Sequence, residues 1–453
     1  MKQPELATCQ CIIAHPSKPK FMAIRHSGGY LPPTVKIPLD FPMGSSIGYV
    51  LEGIQRKYGL KTIALRHLAR FRDYQCIELE VLGTDSRRLQ AVWVGQDDYT
   101  RIRGGDPGEY DPLADWLAQQ TRGEQAASRP PWQRPGWFDR AVHWIDFQLD
   151  RMNVQRTGSV AQHRALSTAG TVLRIPTSGG GLFFKASYTR PPPEVALTRF
   201  LSEKWPDYVS EVLVGDEERN WMLMPNHAEG SLAAWSVADH ERVARTLGKI
   251  QCEGVALVDE LMRLECEDLG LRRLKSFLLS IGGRDTPQFL ANGGLSDSER
   301  AELAALAPRL VDLCDRLAEY GLPDTLVHPD VRFGNIFVHA NSVRFIDWSN
   351  THIGHPFFSL MKILRVSHPT PIAGPQRDEV IRAYLSAFCG FGSEEQLLEA
   401  FRVALRLEHA WRLLRWCREL PFYEPGSLLQ SDARKWSIDG IARQLLEAHT
   451  SGG

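Results

Sequence analysis

Asp330, Asn335 and Asp347 are three polar residues whose types and order could carry out phosphoryl transfer. Transfer from ATP needs a carboxylate to orient the attacking hydroxyl group, and it needs an amide oxygen and a second carboxylate to hold magnesium. The stretch Leu326–Leu360 supplies these groups in order, with four residues between the first aspartate and the asparagine. This stretch is therefore a candidate phosphotransfer site.

The elements that must position these residues are a short loop and a β-hairpin. Asn335–Val338 and Val343–Ile346 are rich in β-branched and aromatic residues, and His339–Ser342 between them suits a turn. A loop followed by a hairpin would bring all three polar residues to one end of a small ribbon. A hairpin carrying solvated acids is the plain alternative, but the correct spacing of three polar residues favours the phosphotransfer site.

The pattern HPDVRFGN followed by FIDW resembles the catalytic loop and metal-binding aspartate of kinases. In this form it is similar to the aminoglycoside-phosphotransferase-like (choline-kinase-like) family of small-molecule kinases. The resemblance implies that Asp330 is the catalytic base and that Asn335 and Asp347 hold Mg²⁺. Arg332 takes the place of a phosphate-contacting lysine of protein kinases, although an exposed surface arginine is an equal alternative. His328 is expected to pack and hydrogen-bond behind the loop.

A glycine turn and a lysine further upstream match the nucleotide-binding lobe of the same family. The runs Thr171–Ile175 and Leu182–Lys185 read as strands joined by PTSGGG. Glycines such as Gly179 and Gly180 let a backbone approach phosphates closely, although glycines in a hairpin turn are also ordinary. The resemblance implies that Lys185 contacts the α- and β-phosphates of ATP.

Three more residues complete the predicted nucleotide site. The segment PPPEVALTRFLSEKW begins like a helix, and Glu194 in its first turn matches the glutamate that pairs with the strand lysine. The segment NWMLMPN matches the hinge strand, where backbone groups of Met224 and Asn226 would meet adenine. An ordinary edge strand would give the same pattern.

Two departures from the family pattern concern the loop and its support. The usual glycine between the histidine and the aspartate is Pro329, which fixes φ and removes a hydrogen-bond donor. The family's trailing G-D-P-x-x-D-L motif appears as Gly354–Leu360, with His355 and Ser359 at the two acidic positions. Those acids are mainly structural in the family, so their absence puts the support of the loop in question.

Most of the chain after Glu229 shows helical spacing of apolar residues. The clearest examples are Glu241–Gln251, Asp297–Leu317, Asp378–Phe388 and Leu397–Leu420, and Pro308 is expected to kink or divide the second of them. Gly282–Gly294 reads as a flexible connection.

The first part of the chain resembles a Nudix domain. The order FMAIRHSGGYLPPTVKIP, then GSSIGYVLEGIQRKYGL, is similar to the Nudix turn and signature helix, and Ile47–Tyr58 has helical spacing. The positions of the metal-binding glutamates fall on Gly53, Arg56 and Lys57. Cations cannot hold magnesium, so we predict a Nudix-like domain without Nudix activity.

The predicted fold class is α+β. It is a bilobal protein-kinase-like fold, with a small β-rich lobe and a large helical lobe, preceded by a separate α/β Nudix-like domain. The kinase resemblance covers residues of about 157–450. We predict a Nudix-like domain at 1–120, a proline-rich linker at 121–136, a linking helix and small lobe at 137–226, and the helical lobe at 227–453.

Composition limits which binding partners and which cellular compartment are expected. The 453 residues carry a net charge of −1, so nothing indicates nucleic acid or an anionic membrane. No run of eighteen apolar residues occurs, the start of the sequence lacks the apolar segment of a signal peptide, and the eight cysteines are scattered. We therefore predict a cytoplasmic enzyme.

The acceptor is predicted only as a small hydroxylated molecule, because charges of both signs occur in the helical lobe. One segment carries Glu253, Asp259, Glu260, Glu265, Glu267 and Asp268, and a late helix carries Arg402, Arg406, Arg412, Arg415 and Arg418. Two alternatives to an ATP- and Mg²⁺-dependent kinase stay open. One is a nucleotide-binding pseudokinase, which Pro329 favours. The other is a bifunctional enzyme with an active Nudix hydrolase, which Arg56 and Lys57 disfavour.

Overall fold

The computed structural model describes most of the chain. The described ranges are 6–15, 17–26, 29–38, 47–70, 74–82, 91–103, 111–122, 129–164, 169–188, 191–365, 372–422 and 438–450. The chain divides into two compact units, Met1–Tyr188 with Gly426–Leu429, and Thr189–Pro425 with Gln430–Gly453. The four-part division by sequence stays a prediction.

The first unit mixes strands with a few helices. Its elements in chain order are β1 (Leu6–Ile13), β2 (Phe21–His26), β3 (Gly29–Leu31), β4 (Thr34–Pro38), α1 (Ile47–Tyr58), β5 (Thr62–Arg70), β6 (Tyr74–Val81), β7 (Ala91–Val94), α2 (Gln96–Arg103), α3 (Pro112–Thr121), α4 (Trp137–Arg151), β8 (Ala161–Arg164), β9 (Gly170–Thr177) and β10 (Gly180–Ser187).

Two sheets and the helices α1 and α3 form the core of the region before α4. One sheet has the order β4-β1-β6-β5, in which β1 and β6 are parallel, and the other has the order β3-β2-β7. Helix α1 has the bounds that its apolar spacing predicts, and it buries Ile47, Val50 and Ile54 in a cluster with Cys9 and Ile37. The Nudix resemblance itself stays a prediction.

The predicted glycine hairpin is present in this unit. Strands β9 and β10 pair antiparallel, with Thr177 opposite Gly180, and β8 pairs with the outer edge of β9. Gly180 has a φ of +107°, a conformation that residues with a Cβ rarely adopt. The turn therefore needs glycine at that position.

The second unit is mainly helical. Its elements are α5 (Glu194–Lys204), β11 (Val214–Asp216), β12 (Trp221–Pro225), α6 (Val237–Gly254), α7 (Val258–Arg263), α8 (Leu271–Ser280), α9 (Gln288–Ala291), α10 (Asp297–Ala318), β13 (Thr325–Val327), β14 (Ile336–Val338), β15 (Val343–Phe345), β16 (His352–Gly354), α11 (Phe357–Arg365), α12 (Pro375–Leu385), α13 (Glu394–Glu419) and α14 (Gly440–Thr450).

Local sequence accounts for the ends of the long helices. Ser236, Ser296 and Ser393 begin α6, α10 and α13 with capping boxes, in which the serine and the third helical residue each accept a backbone hydrogen bond. Apolar side chains of these helices enter one core together with the strands β13 to β16. Of the described helices, none is long and apolar enough to cross a membrane.

Two expectations about this unit need correction. Helix α10 runs without interruption through Pro308, so the proline does not divide it, and a kink at the proline stays a prediction. The proline is exposed, while Leu303, Leu306 and Leu310 beside it are buried, and that burial holds the helix together. The connection at 282–294 contains the short helix α9, whose Leu290 is also buried.

Candidate active site

The predicted hairpin forms and brings the metal-binding candidates to one end. Strands β14 and β15 pair with Ile336 opposite Phe345, and the amide of Ile346 donates to the carbonyl of Asn335 at 3.0 Å. Asn335 lies just before β14 and Asp347 lies just after β15. Asn335 thus lies opposite Ile346, the residue before Asp347, and both candidates lie at the base of the hairpin.

The Asp330 carboxylate lies within a set of hydrogen-bond donors. Arg332 Nε donates to Oδ2 at 2.8 Å, Asn335 Nδ2 donates to the same oxygen at 2.9 Å, and Lys362 Nζ lies 3.4 Å from Oδ1. Burial raises the pKa of this carboxyl, but Arg332 and Lys362 more than offset that effect, so the pKa lies below its ordinary value. The carboxylate is thus ionised and held in one orientation.

Arg332 is the catalytic-loop cation that the sequence singled out, and it contacts Asp330 directly. Its side chain is one third exposed, so it is partly buried and is not a freely solvated surface arginine. Its role in catalysis stays a prediction.

The Asn335 side chain has an oxygen that fits a metal ion. Its residue is 1% exposed, and its Oδ1 is buried and accepts no hydrogen bond from the described part of the protein. Its Nδ2 is used twice, on the carbonyl and on the carboxylate of Asp330, and this fixes which way the amide points. A buried acceptor without a donor costs free energy, so an oxygen-seeking cation is a suitable partner.

Asp347 is the carboxylate among the metal-binding candidates, and its role as a ligand stays a prediction. Its backbone has a φ of +66°, which is uncommon for a residue with a side chain, and Ser349 Oγ donates to its Oδ1 at 2.7 Å. The charge of Asp347 raises the pKa of Asp330, so the two carboxylates interact. One amide oxygen and one carboxylate match the way magnesium binds proteins in phosphate-transfer sites.

His328 supports the loop from behind, as expected. Its Nε2 lies 3.0 Å from the carbonyl of Ile346 and its Nδ1 accepts from the amide of Asp330 at 3.3 Å, which defines the neutral tautomer protonated on Nε2. The ring packs on Trp348 with centroids 4.6 Å apart. The histidine therefore joins the loop before β14 to Ile346, which lies between β15 and Asp347.

Ser359 replaces the second acid of the family motif. Its Oγ accepts from the amide of His328 at 3.1 Å and from Nε2 of Gln251 at 3.0 Å. Gln251 also donates to the carbonyl of Leu326 at 2.8 Å, and its own Oε1 accepts from the hydroxyl of Tyr384. This buried network holds the loop without a carboxylate. The loop therefore keeps its support although the motif has lost its second acid.

His355 replaces the first acid. Burial lowers its pKa to about 3, so the ring is neutral, and its Nδ1 accepts from the amide of Phe357 at 3.4 Å. The amide of Phe357 therefore donates to a neutral imidazole at the position where the family motif has an acid.

The nucleotide-side candidates divide between the two units. Lys185 is buried in β10 of the first unit, and Gly179 and Gly180 form the turn before it. In the second unit, Glu194 is the first residue of α5 and is 1% exposed. The ion pair between Lys185 and Glu194 stays a prediction.

The hinge candidates lie at the end of β12. Met224 is buried within the strand, and Asn226 follows it with Oδ1 accepting from the amide of Ala228 at 3.0 Å. That bond turns the chain away from the strand. The adenine contact stays a prediction.

Sequence reasoning missed Lys362 and Gln251. Lys362 lies in α11, two residues after the altered motif, and Gln251 lies on the inner face of α6. A lysine within an amphipathic helix gave no signal. A glutamine in an otherwise apolar helical stripe did give one, because a buried amide needs partners.

The charged helix α13 does not determine the charge of the acceptor. Arg402 pairs with Glu399 at 3.3 Å, Arg415 pairs with Glu419, and Arg418 pairs with Glu267. These arginines are neutralised within the protein.

A family model described as the phosphotransferase enzyme family (APH) matches residues 163–397, which is just over half of the chain. The chain belongs to this family. The matched segment contains the hairpin, the catalytic-loop residues and Lys185. A comparison with curated proteins found no match.

Three solved structures illustrate the fold to which the chain is similar. Choline kinase from Cryptosporidium parvum is 12% identical, with a TM-score of 0.46, covering 70% of this chain and 94% of that one. The choline kinase LicA of Streptococcus pneumoniae is 12% identical, with a TM-score of 0.42 and coverages of 67% and 99%. A choline/ethanolamine kinase family protein from Mesorhizobium loti is 16% identical, with a TM-score of 0.41 and coverages of 66% and 94%.

Proposed function

We propose that this protein transfers the γ-phosphate of ATP, with magnesium, to a hydroxyl group of a small molecule. The observation that carries the proposal is the arrangement around Asn335. Its amide nitrogen fixes the ionised Asp330, its buried Oδ1 has no donor in the described structure, and Asn335 lies at the same end of the hairpin as Asp347. Membership of the phosphotransferase family supports it independently.

Each residue has a separate task in this reaction. Asp330 accepts a hydrogen bond from the acceptor hydroxyl, orients it, and takes its proton as the oxygen–phosphorus bond forms. Asn335 and Asp347 would hold magnesium, which when bound neutralises charge on the phosphates. Lys185 would contact the α- and β-phosphates, and Arg332 or Lys362 would stabilise charge on the transferred group.

Arg332 and Lys362 also serve Asp330 itself. Their positive charges keep the carboxyl ionised despite its burial, so it is ready to accept a proton at neutral pH. Because Lys362 lies in a buried environment that lowers its own pKa, the interaction is less screened than that of a surface pair.

The test is a panel of small hydroxylated compounds with labelled ATP and magnesium, read for phosphorylated product. With an accepted substrate, Asp330→Asn should lower kcat by about 10³-fold or more and leave ATP affinity within about threefold, because the base does not hold the nucleotide. Asp312→Asn is the matched control, since Asp312 is an exposed acid on α10.

Two results would contradict the proposal. Unchanged turnover by Asp330→Asn in a preparation free of parent enzyme would remove Asp330 from the mechanism. ATP binding without product on any alcohol would favour a nucleotide-binding protein that performs no transfer.

A further inference from the structure

A cleft in the first unit is separate from the residues assigned to phosphoryl transfer. It has a volume of about 760 Å³ and lies between strands β1 and β4 and helix α1. Its lining residues are Leu6, Thr8, Thr34, Val35, Lys36, Pro38, Tyr49, Gly53, Arg56 and Lys57. The volume is within the range of small-molecule sites.

The packing of α1 on β4 makes room for this cleft. Tyr49, Gly53 and Arg56 follow one another along one stripe of the helix, beside the buried face. A Cβ atom on Gly53 would lie 3.0 Å from Cγ1 of Val35, so a larger residue would force the helix away from the strand. Glycine at this position thus keeps the helix close and the cleft open.

Three cations line the cleft, and none of the lining residues that the structure describes is a carboxylate. Lys36 Nζ donates to Thr8 Oγ1 at 2.7 Å, and Lys57 Nζ donates to the carbonyl of Thr34 at 3.0 Å. Both partners are neutral, so they orient the ammonium groups without cancelling their charge. Glu52, the acid of α1, does not line the cleft.

Arg56 differs from the two lysines because its side chain has no ion pair or hydrogen bond within the described part of the chain. Basic residues in the last turn of a helix also interact favourably with the helix dipole, and that accounts for Arg56 and Lys57. It does not explain three cations from a strand and a helix that converge on one concave surface. Such a surface has a positive potential that an anion would stabilise.

We propose that this cleft binds a small organic molecule carrying two or more phosphate charges, without a metal ion. The guanidinium of Arg56 and the ammonium groups of Lys36 and Lys57 would donate to the phosphate oxygens. The organic part would rest on the apolar side of the cleft, formed by Leu6, Val35 and the ring of Tyr49. Cations in place of acids mean that magnesium is not needed.

Calorimetric titration of the full chain with fructose 1,6-bisphosphate and with inorganic pyrophosphate, in EDTA, tests the proposal. The double variant Lys36→Gln/Arg56→Gln should weaken binding at least about tenfold, because each cation contributes a charge-assisted hydrogen bond. The charge-preserving pair Lys36→Arg/Arg56→Lys should retain most of the affinity, which separates loss of charge from loss of folding.

Two further variants locate the site. Lys18→Gln removes an exposed lysine of the same unit that does not line the cleft, and Lys185→Gln removes the predicted nucleotide lysine. Both should leave the affinity within about twofold, while a rise from 50 to 300 mM salt should weaken binding several-fold. Absence of binding by the parent at millimolar ligand, or equal binding by the Lys36→Gln/Arg56→Gln variant, would overturn the proposal. Loss of binding in Lys185→Gln would place the anion in the nucleotide site instead.

Discussion

Replacing Gln251 by leucine should loosen the catalytic loop, although Gln251 touches neither Asp330 nor the predicted metal ligands. Gln251 is 1% exposed, and its amide nitrogen approaches the carbonyls of Leu326 and Pro356 and the hydroxyl of Ser359 at 2.8, 3.2 and 3.0 Å. Leucine has nearly the same volume but neither donates nor accepts. The substitution therefore tests hydrogen bonding with little change in packing.

The size of the effect follows from the groups that lose a partner. Ser359 keeps the amide of His328 as a donor, and the hydroxyl of Tyr384 keeps the carbonyl of Pro356 at 2.9 Å. The substitution removes the Gln251 amide as hydrogen-bond donor to the Leu326 carbonyl and to the Ser359 hydroxyl. The Leu326 carbonyl loses about 1–3 kcal/mol, and the Ser359 hydroxyl, which keeps another donor, loses about 1 kcal/mol, so the local cost is about 2–4 kcal/mol.

Hydrogen exchange measures this cost where it arises. When exchange is limited by the opening equilibrium, its rate reports the free energy of local opening. A loss of about 2–4 kcal/mol in that free energy makes exchange roughly 30- to 700-fold faster in the peptide that contains residues 325–336. Phosphoryl transfer should fall as well, because the amide of His328 is fixed through Ser359. Gln55→Leu, on the exposed face of α1, is the control and should change neither quantity.

Less than threefold faster exchange in Gln251→Leu would refute this reasoning. It would mean that the ladder between β13 and β16 holds the loop by itself. Tyr384→Phe provides a second check, because its effect should not add to that of Gln251→Leu when both act through one network.

Three further outcomes are expected. Asp347→Asn should lower magnesium-dependent ATP affinity by about 100-fold or more in calorimetry, because the metal loses its anionic ligand; equal affinity would exclude Asp347 as that ligand. Burial and the nearby Asp268 raise the pKa of Asp324 to about 6, so its ionisation costs stability as the pH rises from about 4 to 6. Asp324→Asn should therefore stabilise the protein by about 1–3 kcal/mol in urea unfolding at pH 7.5 and have no effect at pH 4; equal stabilisation at both pH values would contradict the shifted pKa. The chain should not hydrolyse ADP-ribose with magnesium or manganese, because Arg56 and Lys57 repel a metal ion; metal-dependent hydrolysis of ADP-ribose by the parent chain would contradict that reasoning.

The parts of the site that are local in sequence were predictable. Asn335 and Asp347 flank a hairpin of two short strands, so the alternation of apolar residues and the turn between them are enough to bring the two together. Helix α1 ends at Tyr58 because Gly59 follows with a φ of +70°, and that residue type gives the stop signal in the sequence.

The parts that depend on packing between distant elements were not predictable. Lys362 reaches Asp330 only because α11 packs beside the loop, and no pattern around Lys362 reports this. Pro308 is a second case, in which the local sequence predicts a break that packing prevents. A proline in a helix costs about 3 kcal/mol by itself, but burial of the leucines around it outweighs that cost.

Pro329 was the main sequence argument for a protein that binds nucleotide without transferring phosphate, and the hydrogen bonds around it weaken that argument. Proline lacks an amide hydrogen, so the loop would suffer if the family needed a donor at this position. The donors in use come from the neighbouring residues, since the amide of His328 bonds to Ser359 and the amide of Asp330 bonds to His328. Both bonds hold the loop while Asp330 keeps its contacts with Arg332 and Asn335. We therefore expect Pro329→Gly to preserve these contacts and to leave phosphoryl transfer within a few-fold of the parent, whereas a large gain in turnover would show that the proline restrains the loop.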